Sequence, residues 1–167
     1  LVQQANSIAQ HYYDASQQHV MSEDDAKKQG LQAISVLRYG KDGYFSINDS
    51  QAVMLMHPIK PELNGKNLAN FTDPAGNHLF QDIVKAAAEP HGGFIHYLWS
   101  KPGSPVPVPK MSYGLRFTPW DWDIVTGMYM DDINAAFMSS LVRWVGIIGV
   151  LGIVATVAMV LVLRSVR

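Results

Sequence analysis

The pattern of apolar runs and turn clusters predicts an α+β fold, with an antiparallel sheet of about five strands behind a long N-terminal helix and a transmembrane helix at the C-terminal end. Three observations carry this. Short aromatic and β-branched runs at 44–47, 52–56, 94–99, 111–117 and 122–129 are bounded by turn residues, as strands are. The opening stretch 1–37 is rich in Gln, Ala, Ser and Lys and repeats Ile8, Tyr12, Ala15 and His19 at helical spacing. The run Val145–Leu163 holds 19 residues without a charge. At about 1.5 Å per residue it covers roughly 28 Å, close to the hydrocarbon thickness of a bilayer.

The opening stretch has one internal start signal. Ser22 followed by Glu23, Asp24 and Asp25 reads as an N-cap with acids in the first turn, so either a long helix over 1–37 kinks near Met21 or two helices meet there. Lys41-Asp42-Gly43 is a turn, after which the sheet domain is expected over 38–130. The pair of strands 44–47 and 52–56 ends at His57-Pro58, because proline cannot donate to a sheet ladder. Asn64-Gly65 and Asp73-Pro74-Ala75-Gly76-Asn77 are further turns. Leu79–Glu89 has an apolar side made of Leu79, Phe80, Ile83, Val84 and Ala87 and reads as an amphipathic helix. The segment Pro102–Pro109 is too proline-laden for a central strand and is expected to be a loop. Asp131 and Asp132 cap a connecting helix, 133–144, that runs unbroken into the span 145–163, and 164–167 is expected to begin a cytoplasmic segment.

Charge and composition exclude several functions. The chain ahead of Leu141 carries 10 Lys and Arg against 14 Asp and Glu, a net charge near −4, so nothing suggests a nucleic-acid partner. There is no cysteine, which removes disulfides and thiolate metal sites. The sequence has no GxSxG elbow, no HExxH pair, no phosphate loop and no dinucleotide fingerprint, so it points to no enzyme, no metal and no cofactor. Its chemistry lies in aromatic strands interleaved with cations. Tyr97 and Trp99 share one face of their strand, and phenol and indole groups are donors on rigid apolar bodies. Arg38, Lys60 and Lys110 are candidate counter-charges for a carboxylate. His57 and Lys60 stand together beside a strand end in a proline-stiffened loop, a place to hold a small anion. Sheet core is an equally good reading of Tyr97 and Trp99, and a solvated lysine of Lys110.

Five segments in order carry a resemblance: Gly43-Tyr44-Phe45; the HPxxPxLxGK run from His57 to Lys66; the DPAG turn at Asp73; Lys110-x-Ser112-Tyr113; and Trp120-x-Trp122-x-x-x-Thr126-Gly127-x-Tyr129-x-Asp131-Asp132. Over roughly Ala33 to Ile133 the sequence resembles the single Cache domains of bacterial methyl-accepting chemotaxis receptors, modules also found in histidine kinases and cyclases. The resemblance implies a PAS-like antiparallel sheet, a periplasmic sensor over 1–132, an inner-membrane anchor and a homodimer. It implies a small carboxylate ligand of C2 to C4 size, such as acetate, propionate, pyruvate, lactate or malate. Carried over position by position, the implied ligand-binding residues are Arg38, Tyr44, His57, Lys60, Tyr97, Trp99, Lys110 and Tyr113. In a regular strand Lys110 and Tyr113 face opposite ways, so either Lys110 reaches in from the preceding loop or one of the two does not belong. The alternatives are a histidine kinase or cyclase sensor, or a ligand-free module that binds a periplasmic protein.

Overall fold

A computed structural model describes residues 1–165; Val166 and Arg167, part of the expected cytoplasmic segment, lie outside the described residues. The chain divides into a compact unit, Leu1–Met130, and a second unit from Asp131 onward.

The first unit opens with two helices rather than one. Helix α1 (Val2–Gln17) stops at a turn where His19 takes a left-handed φ of 57°, and α2 (Glu23–Ser35) begins at Ser22, whose hydroxyl accepts from Asp25 N at 3.1 Å. The acid-rich start signal therefore marks a second helix and not a kink. The chain leaves α2 into a two-residue strand β1 (Arg38–Tyr39), then β2 (Gly43–Asn48) and β3 (Met54–Met56). The second strand starts later than the apolar run implies because Ala52 is left-handed, with the turn held by Asp49 Oδ1 accepting from Gln51 N and Val53 N. Helix α3 (Leu79–Ala87) and strands β4 (Gly93–Ser100), β5 (Pro107–Phe117) and β6 (Trp122–Tyr129) complete the unit.

The sheet is antiparallel, in the order β1-β2-β6-β5-β4, with β3 hydrogen-bonded to β2 off this path. The expected five strands become six with the addition of β1. The proline-rich loop also turns out to be partly strand, since Pro107 and Pro109 pair with Ser100 and Leu98 of β4. The pairing of β5 with β6 ends at Lys110 and Tyr129, so those prolines project their ring nitrogens to the side where β6 has already ended. A proline on that side removes no ladder bond. The consequence is that Lys110 is a true strand residue.

Strand alternation divides the sheet into two unlike faces. Phe45, Ile47, Phe117, Trp122 and Ile124 face α1 and α2 and form one core with Ala5, Ala9, Ala26 and Ile34. Close approach of α2 is possible because Gly30 stands over the Trp122 ring, where a Cβ would lie 3.3 Å from it. The opposite face carries Ile95, Trp99 and Val125 beneath α3, with Leu79, Phe80 and Ile83 closing a second core. Here Gly114 admits the Ala87 methyl of α3.

In the second unit, α4 is one continuous helix, Met130–Ser165. Its stretch Met130–Ile153 contains an 18-residue window with a mean hydropathy of 1.8 and is long and apolar enough to cross a membrane. Phe137, Val142, Ile148 and Leu151 are exposed, leaving apolar side chains without a protein cover.

Candidate functional site

The α3-side face of the sheet gathers one chemical cluster. Tyr44 and Ser46 come from β2, Tyr97 and Trp99 from β4, Lys110 and Ser112 from β5, and Tyr129 from the end of β6. His57 and Lys60 enter from the segment after β3. Cross-strand register puts Tyr97 opposite Lys110, and Lys110 opposite Tyr129, so three strands place these side chains side by side.

Lys110 is the centre of this arrangement. It is 4% exposed, with its ammonium 4.0 Å from the Tyr44 ring centroid and 4.8 Å from that of Tyr129. Aromatic faces attract a cation, but they do not replace a counter-ion. Among the described residues no acidic group pairs with it. Burial accordingly draws its pKa down from the ordinary lysine range to about 7.

His57 is 3% exposed, and its tautomer follows from its hydrogen bonds. The backbone N–H groups of Ile59 and Lys60 both donate to Nδ1, at 3.3 and 3.0 Å, so Nδ1 is the acceptor and the ring proton sits on Nε2. Burial, with Lys110 and Lys60 adding repulsion, lowers the His57 pKa to about 3. At neutral pH it is an uncharged donor through Nε2. The ring lies between Tyr44, 5.2 Å away, and Trp99, 5.9 Å away. Lys60 Nζ sits 4.4 Å above the Trp99 ring.

The phenols are held neutral. Burial pushes Tyr97 and Tyr44 up, and takes Tyr129 to about 12. Tyr97 Oη and Ser112 Oγ share a hydrogen bond of 2.8 Å, and Tyr129 Oη donates to Ser100 O at 2.9 Å. Leu79, Phe80 and Ile83 of α3 form the apolar wall across from the donors. The space enclosed by Tyr44, Ser46, His57, Tyr97, Trp99 and that wall is about 10 Å³, close to the least volume that admits a water. The groups lining it are hydroxyls, an imidazole, an indole and apolar side chains; Lys110 and Lys60 belong to the surrounding cluster and not to this lining.

Two of the expected residues are elsewhere. Tyr113 lies on the α1-side face, where its hydroxyl donates to His91 O and its ring packs 4.9 Å from Phe94. The alternation that puts Lys110 inward as part of β5 necessarily turns Tyr113 outward. Arg38 is exposed, and its guanidinium donates from Nη1 to the carbonyls of Ser35 and Leu37, both at 2.7 Å, capping the end of α2. Conversely, Tyr129 and Ser112 fall within the motifs of the sequence but are not among its expected ligand-binding residues. The signal was present: both share strand parity with groups of the cluster, but reading it requires the register of β5 against β4 and β6.

This geometry can be set beside known proteins. The pattern of the family described as Single Cache domain 2 matches residues 1–143. The chain belongs to the single Cache family. The methyl-accepting chemotaxis protein McpP of Pseudomonas putida is 38% identical over 141 residues, covering 84% of this chain and 26% of that protein. Thus the chain spans about a quarter of the length of this relative. The periplasmic sensor domain of a chemotaxis protein superposes with a TM-score of 0.74 at 40% identity, covering 77% of this chain and 90% of that one. A Cache chemosensory domain solved as a structural basis for carboxylic acid recognition gives 0.74 at 38% identity, covering 77% and 87%. The single Cache domain is thus a chemoreceptor-type sensory module and not an enzyme, with one candidate transmembrane helix after it.

Proposed function

We propose that this single Cache domain is the extracytoplasmic sensor of an inner-membrane chemoreceptor and binds a small carboxylate of C2 to C4 size, acetate, propionate, pyruvate, lactate or malate among them. The observation that carries the reading is Lys110, a buried ammonium without an acidic partner among the described residues. A buried charge is stable only when paired, and the missing partner has to be an anion small enough to reach it. A carboxylate supplies that charge and two acceptor oxygens, for which Lys110, Lys60 and the Nε2–H of His57 are the available donors. Leu79, Phe80 and Ile83 receive the hydrocarbon tail. Tyr44, Tyr97 and Trp99 line the sides, while Arg38 and Tyr113 have no part in binding.

Even acetate is larger than a water, so a cavity of about 10 Å³ must open to admit it. Binding therefore changes the wall positions of α3, the 57–60 segment and the three strands. In the proposed receptor the change at β6 passes along the chain into α4, with residues 1 to about 143 in the periplasm and Arg164 and Arg167 toward the cytoplasm, as the positive-inside rule favours. The N-terminal helices make the receptor a homodimer. Its output, whether chemotaxis, a histidine kinase or a cyclase, belongs to segments beyond this chain.

The test is calorimetric titration and thermal melting of the whole chain in nanodiscs with a panel of these acids. An acid present at 100 times its Kd is expected to add about 2.7 kcal/mol of stability. Silence from every acid, in a folded protein, overturns the reading in favour of a module that binds a periplasmic partner.

A further inference from the structure

The two lysines of the cluster differ in their access to water. Lys60 is partly exposed, whereas Lys110 is 4% exposed and held between two aromatic rings. Each element packed around Lys110 contributes identifiable groups. Strand β2 offers Tyr44, β6 offers Tyr129, β4 offers Tyr97, and the segment after β3 offers His57 and Lys60. Lys101 lies 5.4 Å from the Tyr129 ring, and α3 presents Leu79, Phe80 and Ile83 to the cavity. Around neutral pH the three phenols stay protonated and His57 stays uncharged, so none of them supplies a negative charge. The Asp42 charge bears on Tyr129, but among the described residues no acid pairs with an ammonium at Lys110, which has ring faces beside it.

An amine in such a place sheds its proton readily when the site is empty and regains it when an anion arrives. Building on the carboxylate reading, we infer that acid and proton enter together: the carboxylate binds against the protonated Lys110, and above neutral pH each bound acid draws one proton from solvent onto the Lys110 amine. The charges balance, since a neutral amine, a proton and a carboxylate anion become an ammonium–carboxylate pair. The domain then reports the product of acid and proton activities, not acid alone.

The sign follows from linkage. The empty site holds Lys110 low, at about 7, and the bound carboxylate raises it. Between those two values the complex holds more protons than its separated components, so affinity falls as pH rises, by up to about tenfold per pH unit. Below the lower value the amine is already charged and affinity is flat. The acids of the panel remain ionised throughout this window.

The experiment is calorimetry of the whole chain in nanodiscs with acetate, then propionate, pyruvate and lactate, in Hepes and in Tris, whose ionisation enthalpies differ widely. At about pH 8.5 the apparent enthalpies are expected to differ between buffers by the amount for close to one proton taken up, and at about pH 6 the difference should vanish. Over the same range Kd should weaken by one to two orders of magnitude. Lys110→Arg keeps a charge that does not titrate, so a variant that binds should show equal heats in both buffers. Equal heats and constant Kd in the native chain overturn the proton coupling while leaving carboxylate binding intact. Uptake that persists in a binding Lys110→Arg variant also overturns it, because the proton then goes elsewhere. No heat from any acid defeats the carboxylate reading itself, and the coupling with it.

Discussion

Strand β5 carries two cations on one face, six positions apart, a half-buried Arg116 and a buried Lys110, and they are treated in opposite ways. Arg116 Nε meets Asp123 Oδ1 at 2.6 Å and its Nη2 meets Oδ2 at 3.0 Å, a bidentate pair to which Asn48 Nδ2 adds a contact at 3.3 Å. Lys110 has two aromatic rings and no acid among the described residues. The first charge is complete within the fold, and removing either partner strands the other. The second has no acid beside it among the described residues, and in the proposed receptor the bound carboxylate completes it. A buried charge is thus evidence of function according to whether its partner is part of the chain, not according to how deeply it lies.

The largest expected effect breaks the complete pair. Arg116→Leu leaves the Asp123 carboxylate, 0% exposed, without a counter-charge and should lower unfolding free energy by about 3–5 kcal/mol in a denaturant titration. The Kd for whichever acid binds should change little once the variant is folded. Lys110→Met is the converse case. Acid affinity should fall by about a hundredfold, since loss of a buried charged partner costs roughly 2–5 kcal/mol of binding. Stability, however, should be unchanged or higher, because an apolar side chain of similar length replaces an unpaired charge. The native chain should also gain stability as pH rises from about 7 toward the ordinary lysine range, because the unfolded state then holds a proton that the folded state has released. Lys110→Met should lack that rise. If the variant instead melts like Arg116→Leu, Lys110 is structural and the contrast fails. The smallest effects sharpen it: Arg38→Ala and Tyr113→Phe should leave Kd within about twofold, since one side chain caps α2 and the other lies on the opposite face.

Much of this was legible in the sequence because alternation is strict in strands. Tyr97 and Trp99 fall on one face wherever the strand lies, and the β6 run from Trp122 to Tyr129 is bounded by unambiguous signals. His57 and Lys60 are neighbours in sequence, so their joint arrival at the cluster needed only the turn after β3. What stayed hidden depends on partners. The prolines at 107 and 109 argue against a strand unless it is known that β6 stops at Tyr129, and without that strand the facing of Lys110 against Tyr113 is undecided. Tyr129 is one aromatic among several until register sets it opposite Lys110. Arg38 carries the right charge, but carbonyls at the end of its own preceding helix satisfy it first.

Asp73 shapes the outer border of the sheet. Its Oδ1 accepts from the backbone of Ala75 and Asn77, both at 2.9 Å, and its Oδ2 accepts from Leu98 N of β4 at 2.8 Å. Strand β4 is the last in the order, and Leu98 faces Pro109 on its inner side, so Leu98 N–H points outward. An outward N–H on a terminal strand is where a stray extended chain would begin to pair. The 73–77 turn occupies that position with a carboxylate. In a crowded compartment, the turn therefore protects the domain against edge-to-edge aggregation and against accretion of extended peptides along β4.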